Sequence, residues 1–160
     1  MSDNKNKQIT LIIVTPYNNF YEGKVDFVSL TSMDGEMGIM YGHQPLVVAL
    51  SPGITTVRIG DKTKKIVLSE GYAEIGQYVA LVVVNTAEYP EELDVNRVAD
   101  FYKEMHGDYE KDPELFYEGS DSSNAYKRSK IRAKAIRLYG TDEQRQLLDK
   151  LLGDVDKTNI

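Results

Sequence analysis

Residues 71–107, GYAEIGQYVALVVVNTAEYPEELDVNRVADFYKEMHG, contain two kinds of order in one run. Residues 72–75 and 78–84 are rich in β-branched and aromatic types and flank Gly76-Gln77, which reads as two strands around a tight turn. Beyond Pro90 the spacing changes. Val95, Val98, Ala99, Tyr102 and Met105 recur at steps of three and four, which is the period of a helix with one apolar face. Asp94 is placed to cap that helix and Gly107 to stop it. The chain is therefore expected to be a β unit followed by a helical one: an N-terminal antiparallel β-sandwich domain over 1–90 and a C-terminal α-helical hairpin domain over 91–160.

The rest of the chain extends both halves. Residues 8–14 and 24–31 mix β-branched residues with partial alternation, and 55–59 and 65–68 flank Gly60-Asp61, a hairpin corner. Asp34-Gly35, Tyr41-Gly42 and Ser51-Pro52-Gly53 punctuate the middle. Many short, closely spaced strands suit an antiparallel sandwich or flattened barrel. On the C-terminal side, 107–121 reads as an acidic loop containing Pro113 and Gly119. A second helix is expected from Ser122 or Ser123 to Gly140. Thr141 and Gln144 form a capping-box pattern that opens a short helix through Leu147, Leu148, Leu151 and Leu152. The tail after Gly153 is polar and expected to fray. There is no internal repeat. A two-helix hairpin is too narrow to enclose much core, so it should dock on another surface.

Charge is unevenly distributed, although the composition (41% hydrophobic, 28% charged) is that of an ordinary soluble protein. Residues 88–121 carry twelve acids against Arg97, Lys103 and Lys111, whereas 125–139 carry six bases and no acid. Two readings stay open: the opposite segments pack on each other or stay solvated, or the basic one meets an anionic partner. The formal charge of −6 argues against a nucleic-acid binder. The longest apolar runs, 11–14 and 79–84, fall far short of a membrane span. With no cysteine there is no disulfide framework or thiolate chemistry.

Catalytic constellations are missing from the sequence. His43 and His106 are its two histidines, and neither lies in a ligand-spaced cluster, so no metal site is expected. Gly35, Gly38 and Gly42 lack the Gly-Lys-Ser/Thr of a phosphate loop, and no serine occupies a nucleophile elbow. No catalytic residues and no required cofactor are expected.

The run Asp34-Gly-Glu-Met-Gly-Ile-Met-Tyr-Gly-His-Gln-Pro-Leu-Val-Val-Ala-Leu-Ser-Pro-Gly53 is similar to the signature of ATP synthase epsilon subunits, in which Gly-Glu-(Leu/Met)-Gly-Ile leads to Gly-His-x-Pro-Leu and then Pro-Gly. Tyr21-Glu-Gly-Lys-Val25, Leu68-Ser-Glu-Gly71 and Leu93-Asp-Val-Asn-Arg97 continue the likeness. It covers residues 8–106, and 122–139 more loosely. The resemblance implies a ten-stranded β-sandwich carrying a two-helix domain, fixed to the gamma subunit and the membrane-embedded c-ring as part of the rotor. It implies a non-catalytic subunit that couples proton flow to ATP synthesis and restrains ATP hydrolysis through its C-terminal helices, with transient contact to the catalytic alpha and beta subunits. Membrane contact would come only through the complex, at the cytoplasmic face. No transit-peptide pattern precedes the β unit, so a bacterial source is expected.

Residue by residue, the resemblance places Glu36, in the 34–39 turn, opposite the polar loops of the c-ring, and His43 against gamma and the ring. The plainer readings are an exposed turn acid and a histidine satisfied by backbone. Leu93, Asp94 and Arg97 match a motif of members whose folded hairpin binds ATP, and Arg128 and Arg132, four apart on one helix face, resemble the paired arginines of those members. ATP would then be a regulatory ligand, and the chain a nucleotide sensor. The plainer reading is an Asp94 cap, with the arginines meeting the acidic segment. The chain departs from the family pattern at several points: Val98 replaces an alanine of that motif, Glu70 replaces a glycine, and Tyr41 replaces a common proline, which should soften the loop before Gly42. The acidic loop over 108–121 and the helix after Gly140 also read as longer than in the usual hairpin. A stand-alone ligand-binding module and a sandwich-type enzyme are the competing classes.

Overall fold

A computed structural model describes residues 7–153. The chain divides between Ala87 and Glu88 into two compact units. The tail after Gly153 lies outside the described residues.

Nine strands build the first unit: β1 (Ile9–Val14), β2 (Asn19–Val25), β3 (Phe27–Ser32), β4 (Gly35–Ile39), β5 (Leu46–Leu50), β6 (Gly53–Ile59), β7 (Lys62–Leu68), β8 (Gly71–Ile75) and β9 (Val79–Val84). A two-residue strand, β10 (Ala87–Glu88), stands at the transition to the second unit and brings the described strands to ten. The order across the sheet is β7-β6-β3-β5-β8-β9-β1-β2, with β4 beside β3. β1 runs parallel to β9 and antiparallel to β2, and the strands together form a β-sandwich.

The alternation in β1 does what a period of two requires. Ile9, Leu11 and Ile13 are fully buried, while their neighbours Thr10, Ile12 and Val14 are half-exposed. Val25, Val28, Leu30, Ile39, Val57, Ile66 and Val82 complete this core. Each contributes about 1.5–3 kcal/mol relative to leaving the side chain in water. The Gly60-Asp61 corner is a two-residue hairpin loop between Ile59 and Lys62, with Gly60 at φ 57.

The strand expected over 24–31 is two strands broken at Asp26. Its carboxylate accepts from Gly60 N (2.5 Å) and from Gln8 Nε2 (3.1 Å), while its own N–H donates to Arg58 O (2.9 Å). The bond from Gly60 N, reinforced by Gln8, holds the Asp26 carboxyl below its ordinary value. The expected 34–39 turn is also corrected. Residues 35–39 form a strand paired to β3, and the hairpin tip is Met33-Asp34. Ser32 Oγ stitches that tip, donating to Gly35 O and accepting from Asp34 N.

The second unit contains α1 (Val95–Lys111), α2 (Asp121–Tyr139) and α3 (Asp142–Leu152). α1 does not stop at Gly107. It continues to Lys111 and ends where Pro113 forbids helical backbone to Asp112, which takes φ −146 and ψ 75. The acidic loop is thus the last turn of α1 followed by a 3-10 turn at Pro113–Phe116. α2 starts earlier than expected, because Ser120 is the cap: its Oγ accepts from Ser123 N (3.1 Å). The capping box at Thr141 and Gln144 forms as read. α1 and α2 make the hairpin, and α3 packs on both. Val98, Ala99 and Tyr102 of α1, Ala133 and Ile136 of α2, and Leu148 and Leu152 of α3 are buried. No described helix is long and apolar enough to cross a membrane.

Candidate functional site

The loop from β4 to β5 is built by backbone geometry. Gly38 sits opposite Ser29, where a Cβ would come within 2.7 Å of Phe27 Cε2, so a larger residue there would have to push the Phe27 ring aside. Gly42 takes φ 81, and its N–H donates to Gln77 O (2.7 Å) in the turn between β8 and β9. Tyr41 lies against Tyr78, ring centroids 5.3 Å apart. The tyrosine at the position where proline is common thus packs on the β8–β9 turn, beside the backbone bond of Gly42 to the same turn.

Glu36, the second residue of β4, is exposed, opposite Thr31. His43 is half-buried in the turn that follows. Its Nδ1 lies 2.7 Å from Gln44 O. A carbonyl only accepts, so Nδ1 carries the proton. The plainer reading of His43, satisfied by backbone, is therefore met at one ring nitrogen. The first unit also exposes apolar side chains on the β4–β5 loop, β5 and the β8–β9 hairpin: Tyr41, already noted in the sequence, with Met40, Leu46, Val47, Tyr72 and Tyr78, which were not. Val47 is 70% exposed. The available signal was the strand alternation of 46–50 and 71–75, which puts Val47 on the outer face beside Glu74.

In the second unit the candidate nucleotide residues have structural work. Asp94 caps α1, its carboxylate accepting from Arg97 N (3.2 Å). Leu93 is buried, Arg97 is exposed, and Val98 is only 5% exposed, where the resemblance places a smaller residue. α2 packs on the 3-10 turn at Pro90–Glu92, which brings Arg132 to Glu88: Nε donates to Oε2 at 2.8 Å, and a terminal nitrogen faces Oε1 at 3.4 Å. Arg128 shares that face one turn earlier. Lys127 pairs with Glu118 (3.0 Å) and Arg137 with Asp149 (3.7 Å), so much of the basic segment is balanced inside its own unit. The Lys130 ammonium stands 4.3 Å over the Tyr126 ring, and burial, with Lys127 nearby, lowers its pKa.

An aromatic cluster at the α1–α2 end of the hairpin escaped the sequence reading. His106 Nδ1 lies 2.8 Å from Tyr126 Oη and Nε2 lies 3.3 Å from Glu110. Tyr102 stacks on His106, and Tyr109 and Phe116 pack on Tyr126. The spacing 102, 106, 109 on one helix was the missed signal. Among the described residues no three His, Cys, Asp or Glu side chains gather as a metal site.

Residues 8–90 match the family described as ATP synthase, Delta/Epsilon chain, beta-sandwich domain. The chain belongs to this family. Its matched segment begins and ends with the β unit. An ATP synthase epsilon chain of Ruminiclostridium cellulolyticum is 39% identical over 87 residues, 54% of this chain and 65% of that relative. One from Prochlorococcus marinus (strain MIT 9301) is 37% identical over 112 residues, covering 66% of this chain and 84% of the relative. A third, from Staphylococcus haemolyticus, is 42% identical over 90 residues, 56% of this chain and 68% of its own length. Among solved structures, a chain of the Euglena gracilis mitochondrial ATP synthase (OSCP/F1/c-ring, rotational state 1) superposes with a TM-score of 0.59 at 23% identity, over 84% of this chain and 80% of that one. That likeness establishes a shared fold.

Proposed function

We propose that this chain is a non-catalytic rotor subunit of an ATP synthase, held between the gamma subunit and the c-ring. The observation that carries the reading is the family match over the whole β unit. The relatives named ATP synthase epsilon chain support it. In this reading the loop from β4 to β5 is the assembly surface. Glu36 is an exposed carboxylate that sets register against polar loops of the ring, and the apolar side chains around Tyr41 and Val47 supply burial. His43 presents its ring from a turn tied to the next hairpin. The subunit sits peripherally, at the cytoplasmic face of the membrane, and touches the membrane only through the complex.

The helical unit acts as a brake. Its hairpin has two dockings: compact, as described here, and extended along gamma, where the basic face of α2 meets the catalytic alpha and beta subunits and stops wasteful hydrolysis. ATP as a regulatory ligand would compete with Glu88 for Arg132, because Nε and one terminal nitrogen of that guanidinium already face the Glu88 carboxylate. Deleting residues 93–160 from the assembled complex tests the brake. ATP hydrolysis should rise while synthesis continues, and unchanged hydrolysis would overturn it.

A further inference from the structure

α3 lies beyond the residues that the family match covers, and the two dockings described above assign it no contact of its own. Its first turn carries Gln144, whose side chain is engaged at both ends. Oε1 accepts from Thr141 N (2.8 Å), completing the capping box. Nε2 donates to Pro90 O (3.1 Å) and to Leu93 O (3.0 Å). A side-chain amide has two N–H protons, and here both go to carbonyls of the segment from which α1 springs. Behind Gln144, at four-residue steps, Leu148 and Leu152 are buried, so the amide heads a buried stripe. The corner that presents it depends on Gly140, where a Cβ would lie 2.6 Å from Ile136 O and 2.8 Å from Gln144 Oε1. Ion pairs of Arg132 with Glu88 and of Arg137 with Asp149 add two further contacts of α2 within the same unit.

We propose that Gln144 is the latch of the helical unit: the amide of α3 closes the hairpin onto the carbonyls of Pro90 and Leu93, so the compact form stands without any nucleotide. The proposal rests on the two-docking reading above and names the contact that must break between the dockings. Withdrawing α2 and α3 from the start of α1 takes the donor from two carbonyls and Glu88 from Arg132 together. A ligand shifts the hairpin only by the difference in its affinity for the two forms, and the closed form already satisfies these groups from within.

Hydrogen–deuterium exchange on the full chain at neutral pH tests the latch. Amides of α1 and α2 report the hairpin, and those of β1 and β9 control for folding. In the unmodified chain, protection of α1 and α2 should be the same with and without millimolar magnesium-ATP. Gln144→Ala should lower that protection by thirtyfold or more, about thirtyfold for the two bonds to Pro90 and Leu93, with the cap bond lost besides. Gln144→Glu separates latch from cap: its carboxylate still accepts from Thr141 N but has no proton for Pro90 O and Leu93 O. It should still lose about thirtyfold of the α1 and α2 protection, the effect of the two donated bonds alone. Unmodified protection in Gln144→Glu, or an unmodified chain that exchanges fast until ATP is added, would overturn the proposal. Exchange is read on the isolated chain, so failure to join gamma and the c-ring would refute the rotor reading and leave this result standing.

Discussion

Replacing Leu148 by alanine should open the helical unit while leaving the β unit folded. Leu148 is 0% exposed, on α3, which packs on both α1 and α2. The substitution removes three carbon groups at about 0.8 kcal/mol each, or roughly 2.4 kcal/mol of burial. A cavity that only partly collapses adds up to about 1 kcal/mol, giving about 3 kcal/mol in all. Helix propensity barely changes, because leucine and alanine both favour helix. At 1.4 kcal/mol per factor of ten, amide protection in α1 and α2 should fall by about two decades. Leu138 is the control: it lies on α2 and is 52% exposed, so Leu138→Ala should stay within about 0.5 kcal/mol. Hydrogen exchange measured on both variants reads the difference locally. Protection within threefold of the unmodified chain in Leu148→Ala would show that α3 is an appendage, and the three-helix account of this unit would fail.

Gly71→Ala should destabilise the β unit by about 3 kcal/mol or more, because the new Cβ would collide with Val83 O and lie 2.9 Å from Val84 Cα on the paired strand β9; a urea midpoint near that of the unmodified chain would contradict this. The lowered pKa of Asp26 makes its contribution full above its unfolded value, near pH 4, and lost as pH falls through the lower folded value. Asp26→Asn should therefore flatten the acid limb of the β unit's stability against pH, and an unchanged acid limb would count against the Gly60 and Gln8 bonds as its origin. Glu36→Lys should leave the melting of the β unit unchanged and weaken binding to the c-ring and coupling, as read by ATP-driven proton pumping; normal pumping would remove Glu36 from the assembly surface.

Local rules made much of this fold legible. The buried positions 9, 11 and 13 follow from alternation, the Gly60-Asp61 hairpin from its turn residues, and the Thr141–Gln144 cap from a four-residue pattern. What stayed hidden was set by distant partners. The break at Asp26 depends on Gly60, thirty-four residues away, and no window around residue 26 contains it. α1 continues through Gly107, with His106 and Tyr109 in contact with Tyr126 on α2, and that tertiary packing outweighs the roughly 1 kcal/mol cost of a helical glycine. For the site, Glu36 and His43 were found through the resemblance of their motif. The neighbours that shape their surface were not, because Tyr78 reaches Tyr41 only once the sheet is assembled. Gln144 was read as half of a cap; the other end of its side chain reaches back more than fifty residues to Pro90 and Leu93.

The central claim, a rotor subunit held between gamma and the c-ring, is tested most directly by affinity purification of the tagged full chain from detergent-solubilised membranes of its source. Gamma and the c subunits should come down together, and Glu36→Lys should reduce the recovery of the c subunits while gamma remains. Recovery of the chain with neither gamma nor c subunits would contradict the account.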